Sequence, residues 1–376
     1  MSLLTIASIL LFAYSILLLY YKIQWDVLPD GKTISNYKPK TKVSIIIPAR
    51  NEEKNIARLL DSIAKQNYPD KLFEVIVVDD HSTDNTASIS KGYRDVRYYH
   101  LQDWIQKGFT NSFKKKAITE AIQRANGQLI ITTDADCAVG PNWLQAIVQE
   151  FEANSWKAMA GPVQFFKGAS LLNIFQELDF IAMQGITAAV LSSKKGSMCN
   201  GANFAYTKSA FEEVMGYEGI DHLASGDDMM LMHKFFGQFS DKVCYLKNPD
   251  AIVLTAPMET LKGFIQQRIR WASKNKSLSD VGIKIVLLLS WLLNASLLFV
   301  AISLIRNIND LLYVVLLFII KGVAEYFFSS DVARFFDRKK RLPFLFILQP
   351  LHIFYMTFVG ILGLFNTYTW KQRKVK

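Results

Sequence analysis

Cysteine is scarce in this chain. Three occur in 376 residues, Cys137, Cys199 and Cys244, with no Cys-x-x-Cys pair. So few and so scattered, they argue against a disulfide framework or a thiolate zinc site and fit a reducing compartment. The five histidines show no metal-ligand spacing. Glycine signatures are missing as well. Where a Gly-x-Gly-x-x-Gly turn would follow the first apolar strand, the chain reads Pro-Ala-Arg-Asn-Glu-Glu, so a dinucleotide oxidoreductase lacks its phosphate turn. There is no Gly-x-x-x-x-Gly-Lys loop and no Gly-x-Ser-x-Gly elbow.

Apolar residues, by contrast, make up 51% of the chain and crowd its two ends. Residues 3–21 form an uncharged run long enough to cross a bilayer of roughly 30 Å. No basic stretch or small-x-small cleavage site accompanies it, so residues 1–24 are expected to form a retained anchor. Residues 285–305, 311–328 and 344–365 are further spans, the last interrupted by Pro343 and Pro350. Together they predict a C-terminal membrane domain of about three helical segments over 280–370. Lys321 and Glu325, spaced i, i+4 in the middle span, are expected to pair. The net charge of +10 sits largely beside these apolar segments, at Lys339-Lys340-Arg341 and in 371–376. It therefore suits anionic headgroups better than nucleic acid. Basic residues after the first C-terminal span and over 334–341 put the intervening domain, residues 40–275, in the cytoplasm of a multi-pass cell (inner) membrane protein. The basic tail breaks that pattern unless the last segment is re-entrant.

Between the ends, the linker 30–41 leads to an apolar run over 43–47, a buried strand, followed by a helix with Asn51 as cap and Ile56, Leu59, Leu60 and Ile63 on one face. A second strand over 74–78 ends in Asp79-Asp80, with Asp84 and Asn85 in the next loop. A third strand is expected over 96–100, a basic helix over 114–126, and a strand at Leu129. Strand and helix alternating at this spacing predict an α/β, mostly parallel sheet, with all strand ends along one rim. Residues 158–165 read as a further strand and 171–191 as a helix.

The stretch Leu-Ile-Ile-Thr-Thr-Asp-Ala-Asp, residues 129–136, puts two carboxylates at i, i+2 just past a strand. They can act together only if the chain turns at Asp134. Two carboxylates there suit a hard divalent cation carrying phosphate oxygens. Asp79, Asp80, Asp134 and Asp136 thus share one rim. Plainer readings stand beside this one: Asp79, Asp80 and Asp84 as turn and cap residues, Gly226-Asp227-Asp228 as a helix cap, and Lys114–Lys116 as a solvated face. Trp271 could be an interfacial anchor, and Asn200-Gly201-Ala202-Asn203 a plain turn.

Several of these motifs, in this order, resemble the membrane-bound family 2 glycosyltransferases, which have a GT-A (Rossmann-like) fold. Ile-Ile-Ile-Pro-Ala-Arg-Asn-Glu-Glu is similar to the family's first strand and loop, which implies that Pro48, Ala49, Arg50 and Glu52 border the nucleoside. Val-Val-Asp-Asp-His-Ser-Thr-Asp resembles its second signature, with Asp79 or Asp80 reading base or ribose. Thr-Asp-Ala-Asp resembles its DxD motif, which implies Asp134, Ala135 and Asp136 at the nucleotide-sugar and both aspartates holding Mg²⁺ or Mn²⁺ against the diphosphate. Lys114 best matches the family's lysine. Gly-Asp-Asp resembles the element carrying the catalytic base, which makes Asp228 the base and Asp227 its neighbour. Gln-Arg-Ile-Arg-Trp resembles QxxRW, which places Gln267, Arg270 and Trp271 near acceptor and diphosphate, where Asn200 and Gly201 are also assigned.

The resemblance implies an inverting transfer from a nucleotide-sugar, UDP-linked in the family's commonest form, to a lipid-linked or membrane-associated glycan acceptor. Alternatives are a processive polysaccharide synthase, a membrane-tethered inactive transferase-like binding protein, and a nucleotidyl- or phosphotransferase.

Overall fold

The computed structural model describes residues 2–105, 112–223, 225–273, 280–305, 307–365, 368–370 and 373–375. Arg306 and tail positions 371, 372 and 376, which carry part of the charge argument above, lie outside them. The helices in chain order are α1 (Leu3–Val27), α2 (Ile56–Ile63), α3 (Thr86–Lys91), α4 (Phe113–Arg124), α5 (Trp143–Asn154), α6 (Leu171–Ser192), α7 (Lys208–Glu213), α8 (Asp227–Phe239), α9 (Leu261–Ser273), α10 (Val281–Ser303), α11 (Leu311–Phe335) and α12 (Phe344–Leu362). The strands that concern the fold are β1 (Val43–Ala49), β2 (Phe73–Asp79), β3 (Val96–His100), β4 (Leu129–Thr132), β5 (Ala138–Val139), β6 (Ala158–Ala160), β7 (Val163–Phe165), β8 (Phe204–Thr207), β9 (Val243–Tyr245) and β10 (Val253–Thr255). Contacts divide the chain into two compact units. One holds Leu28–Phe166 and Ser197–Ala256; the other holds Met1–Val27, Lys167–Gly196 and Pro257–Lys376. Two segments of the expected block 40–275, one of them α6, therefore pack among apolar helices.

The first unit is built on a seven-stranded sheet in the order β3-β2-β1-β4-β8-β6-β9. Its first four strands are parallel. β8 runs antiparallel to both neighbours, and β9 is parallel to β6. The mostly parallel expectation thus holds, with one reversed strand at the centre. Ile45, Ile46 and Ile47 of β1, Val77 and Val78 of β2, and Ile130 and Ile131 of β4 are fully buried. Such unbroken apolar runs form where helices cover both faces of a parallel sheet. α2 buries Ile56, Leu59, Leu60 and Ile63, the face its spacing predicts.

Residues 158–165 do not form one strand. They split into β6 in the main sheet and β7 in a small sheet of order β5-β10-β7, because the chain breaks at Gly161-Pro162. A Cβ at Gly161 would meet the Asn203 side chain at 2.2 Å. Asn203 fills that space, donating from Nδ2 to Pro162 O (2.9 Å) and Ala251 O (2.8 Å). Trp143 Nε1 donates to its Oδ1 (3.1 Å).

Among the described residues, five helices are long and apolar enough to cross a membrane: α1, α6, α10, α11 with the turn before it, and α12. All lie in the second unit. α1 buries Ala7, Leu11, Tyr14, Leu18, Tyr21 and Trp25, a strict four-three spacing that seats one stripe against neighbours. Those neighbours are α6, α10 and α11. A Cβ at Gly185 of α6 would lie 2.8 Å from Phe328 and Val332 of α11, so the small residue permits close helix packing. α12 runs unbroken through Pro350, contrary to the interruption expected there, since packed neighbouring helices tolerate a proline in such a segment.

Candidate active site at the carboxyl rim of the sheet

β1 and β2 end in register, Ala49 opposite Asp79, so their loops leave side by side and bind each other. Asp80 N donates to Ala49 O (2.8 Å), and Arg50 Nη1 donates to Asp80 O (2.7 Å) and His81 O (3.2 Å). Asn51 does not cap α2. It has a left-handed backbone (φ 50°), and its Oδ1 accepts from Thr83 N at 2.9 Å. Glu52 N donates to Thr86 Oγ1 (2.7 Å) and Glu52 Oε2 accepts from Asn55 (2.9 Å). Pro48 and Ala49 are the last residues of β1.

Asp79 is buried, with Oδ1 accepting from Ser82 N (2.8 Å) and Oδ2 from the Tyr98 hydroxyl (2.7 Å). Burial, then the Asp79 carboxylate, raises the Tyr98 phenol and keeps it a donor. Asp80 Oδ1 lies 2.9 Å from His81 Nδ1 and 3.9 Å from Arg50 Nη1. Asp84 fulfils the plainer turn reading: its Oδ1 accepts from Thr86 N at 3.0 Å. Burial works against its ionisation, but the hydrogen bonds from Thr86 and Glu53 hold its carboxyl below the usual value.

β4 stops at Thr132, and the turn expected at Asp134 is present, closed by Cys137 N donating to Asp134 O (3.1 Å). Ala135 faces inward, whereas Asp134 and Asp136 stay partly open to solvent. Arg58 Nη2 braces the turn through Asp136 O (2.9 Å).

Lys114, in the first turn of α4, reaches this turn. Its Nζ lies 2.8 Å from Asp134 Oδ1 and 3.0 Å from Asp227 Oδ2. Asp227 and Asp228 open α8 after Gly226 in a left-handed conformation (φ 80°). Asp228 Oδ1 accepts from Met229 N (2.7 Å) and Oδ2 from Gly201 N (3.1 Å). Gly201 belongs to the turn after Asn200, whose Oδ1 accepts from Ala202 N (3.0 Å); Thr132 Oγ1 donates to Gly201 O (3.1 Å). A Cβ at Gly201 would touch Asp228, Asp227 and Lys114 at 3.4–3.5 Å. Four separate segments therefore meet around one ammonium. Burial disfavours its charge, yet Asp134, Asp227 and Asp228 together raise the Lys114 pKa well above the ordinary value. The lysine remains a cation among three carboxylates.

Lys114–Lys116 is not one solvated face. Only Lys116 has the bland role, pairing with Glu120 one turn on (2.8 Å). Lys115 is buried, which no period in the sequence signals.

Gln267, Arg270 and Trp271 lie on α9, in the helical unit. The hub of that helix is Arg268, which the sequence reading passed over. It is buried, 2.8 Å from Asp179 Oδ2, with its guanidinium 4.1 Å from the Trp271 ring centre and 4.9 Å from that of Phe264. Arg270 is half-buried, and Gln267 Oε1 is buried with no hydrogen-bond partner among the described residues. The alternation of arginines hid which one turns inward.

Among the described residues, no group of three or more His, Cys, Asp or Glu forms a protein-only metal cage. Asp134 and Asp136 offer hard oxygen donors on an open turn. That fits Mg²⁺ or Mn²⁺, which bind one or two carboxylates and take their remaining ligands from water and substrate phosphates.

Residues 44–215 match the family model "Glycosyl transferase family 2". The poly-beta-1,6-N-acetyl-D-glucosamine synthase of Staphylococcus epidermidis is 25% identical over 243 residues, 63% of this chain and 55% of that protein. The N-acetylglucosaminyltransferase of Rhizobium meliloti is 28% identical over 318 residues, 78% of this chain and 68% of that protein. Several curated relatives are matched over only 55–59% of their length. Among solved structures, the mannosyltransferase PcManGT from Pyrobaculum calidifontis, in complex with GDP-Man and Mn²⁺, superposes with a TM-score of 0.60 at 20% identity, over 93% of this chain and 99% of that one. Residues 44–215 thus resemble the family 2 glycosyltransferases, and the chain has a GT-A-like α/β fold together with apolar helices of membrane-spanning length.

Proposed function

We propose that this chain is a membrane-anchored, metal-assisted inverting glycosyltransferase that moves a sugar from a nucleotide-sugar to a lipid-linked or membrane-associated acceptor. The observation that carries this reading is the meeting of Asp134, past β4, with Asp227 and Asp228, at the start of α8, around the Lys114 ammonium. A sugar transfer needs both halves of such an arrangement. On the donor half, the departing diphosphate gains negative charge as the bond to the anomeric carbon breaks. A cation fixed beside it stabilises that charge, and Lys114 is suited to this. A divalent ion held by Asp134 and Asp136 would supply further positive charge at the same phosphates.

On the acceptor half, the hydroxyl oxygen forms its new bond to the anomeric carbon opposite the leaving group and loses its proton to a carboxylate. Asp228 is assigned that role. Its oxygens are oriented by Gly201 N and Met229 N, and the helix start favours its ionised form. Arg50, Glu52, Asp79 and Asp80 with Pro48 and Ala49 are assigned to the nucleoside, and Ala135, Asn200 and Gly201 to the backbone around the sugar and diphosphate. For Gln267, Arg270 and Trp271 we retain the acceptor and diphosphate role as a separate proposal, to be tested by Arg270→Ala.

A UDP-sugar is the proposed donor, in keeping with relatives named for N-acetylglucosamine transfer. The name of the first of these relatives also favours a second reading, a processive synthase. We assign the protein to the cell membrane with the sheet unit in the cytoplasm, from the basic residues at 334–341.

The test is a panel of nucleotide-sugars with the detergent-solubilised protein, with and without Mn²⁺ and membrane lipids. Metal-supported release of UDP, lost in Asp136→Ala, is expected. Nucleotide binding that ignores both Mn²⁺ and Asp136 would overturn the donor site. Product length separates single transfer from synthesis.

A further inference from the structure

Lys115 follows the lysine of the site, yet it points elsewhere. Its side chain is 2% exposed, and its ammonium donates to two backbone carbonyls, Ile220 O (2.5 Å) and Leu223 O (2.8 Å). Ser112 Oγ donates to the same Leu223 O (2.8 Å). From the other side, Lys234 of α8 donates to Gly216 O (2.7 Å) and Glu218 O (2.9 Å). Four carbonyls of one segment, residues 215–223, are thus gathered by two lysines.

That segment has little regular structure of its own. Met215, Gly216 and Gly219 are left-handed, with φ of 57°, 46° and 81°. Its internal backbone bonds are isolated turns, such as Glu218 N to Met215 O and Ile220 N to Tyr217 O, both 3.0 Å. A buried ammonium must find acceptors, so the lysines and the carbonyls fix one another. The segment also leads into the site, since Asp227 follows four residues after Leu223 and opens α8 with Asp228. It packs toward that helix: the buried Tyr217 ring lies 5.6 Å from Phe211, Phe211 stacks on Tyr206 at 5.8 Å, and Tyr206 lies 5.4 Å from Phe235 of α8.

We infer that Lys115, supported by Lys234, is a positioning residue that shapes residues 215–223 into the acceptor-side wall next to Asp228. This rests on the transferase reading: the ends of β1, β2 and β4 are assigned to the donor, and a base must adjoin the acceptor hydroxyl. Adjacent lysines on α4 then divide the work, Lys114 facing the donor and Lys115 setting the acceptor's enclosure.

The experiment compares Lys115→Met, Lys115→Arg and Lys234→Met in the full chain in detergent. In Lys115→Met, amide exchange should quicken in 215–223 and stay unchanged in β4. The acceptor KM should rise about tenfold while kcat falls less than about threefold and the Kd for UDP with Mn²⁺ stays within about twofold. Lys115→Arg, which keeps a donor at the end of a long stem, should restore part of the acceptor KM. Lys234→Met should act in the same direction, more weakly. Unchanged exchange in 215–223 would overturn the inference, and so would an acceptor KM and nucleotide Kd that rise together. If Lys115→Met does not fold, the other two variants decide by the same criteria. No turnover by the parent protein with any nucleotide-sugar would instead overturn the transferase reading and the acceptor role with it, leaving exchange to decide the anchoring.

Discussion

Two lysines with several polar partners show how differently the two units use a cation. Lys114 in the sheet unit stands among Asp134, Asp227 and Asp228 with its side chain 26% exposed. Lys321 in the helical unit is fully buried. It pairs with Glu325 (2.6 Å), donates to Gln349 Oε1 (2.9 Å) and lies 3.3 Å from His352 Nδ1. Gln349 in turn donates to the same Glu325, as does the Tyr14 hydroxyl (3.1 Å). The pair expected from the i, i+4 spacing is thus the centre of a network joining α1, α11 and α12. One cluster has surplus carboxylate and an opening; the other has matched charges, saturated hydrogen bonds and none. Surplus charge facing solvent is poised for a charged ligand, whereas a closed, balanced set locks helices in one register.

The largest expected effect lies on the open side. Asp228→Asn should lower transfer about a thousandfold while leaving nucleotide binding intact, by radiolabel transfer and titration calorimetry. Retained turnover would move the base elsewhere and leave the surplus charge unexplained.

On the closed side, Lys321→Met strands Glu325 among apolar helices and should cost about 3 kcal/mol of stability. Adding Glu325→Leu should recover most of that loss in thermal unfolding in detergent. A double variant as unstable as the single would mean that the network does more than balance charge.

Lys114→Met sharpens the contrast from the other direction. It should weaken Mn²⁺-supported UDP binding by about 2 kcal/mol, roughly thirtyfold, with little change in unfolding temperature. A collapse in stability like that of Lys321→Met would erase the distinction between the clusters. Lys116→Ala, two residues on, removes one of the two basic partners of the buried Glu120 and leaves Arg124 in place; it should alter stability by less than about 1 kcal/mol and binding not at all.

These three consecutive lysines also mark how far local pattern reaches. Apolar runs ending in Asp79-Asp80 and Asp134 were legible as strand ends on one rim, because strand period and burial are written into neighbouring residues. The pairing of Lys321 with Glu325 was legible for the same reason, whereas the buried four-three stripe of α1 was hidden in a run that is apolar all round. The motif singled out Lys114, but not its meeting with a carboxylate from α8, and the roles of Lys115 and Lys116 were not legible, since one meets the carbonyls of 220 and 223 and the other its own helix. Arg268 among the arginines of α9, and Asn203 beneath the break at Gly161-Pro162, were likewise invisible.

By itself, then, the sequence determined the alternation of strand and helix, the carboxylates at the rim, and the apolar helices at either end. Those follow from short-range periodicity and hydrophobic burial. Only the tertiary structure decided that β8 runs backwards through the middle of the sheet, that α6 packs with the apolar helices, and that Gly201 and α8 bring Asp228 to Lys114. Such contacts join residues far apart in the chain, and their identity depends on how the elements cross and which side chains can be buried together once they do.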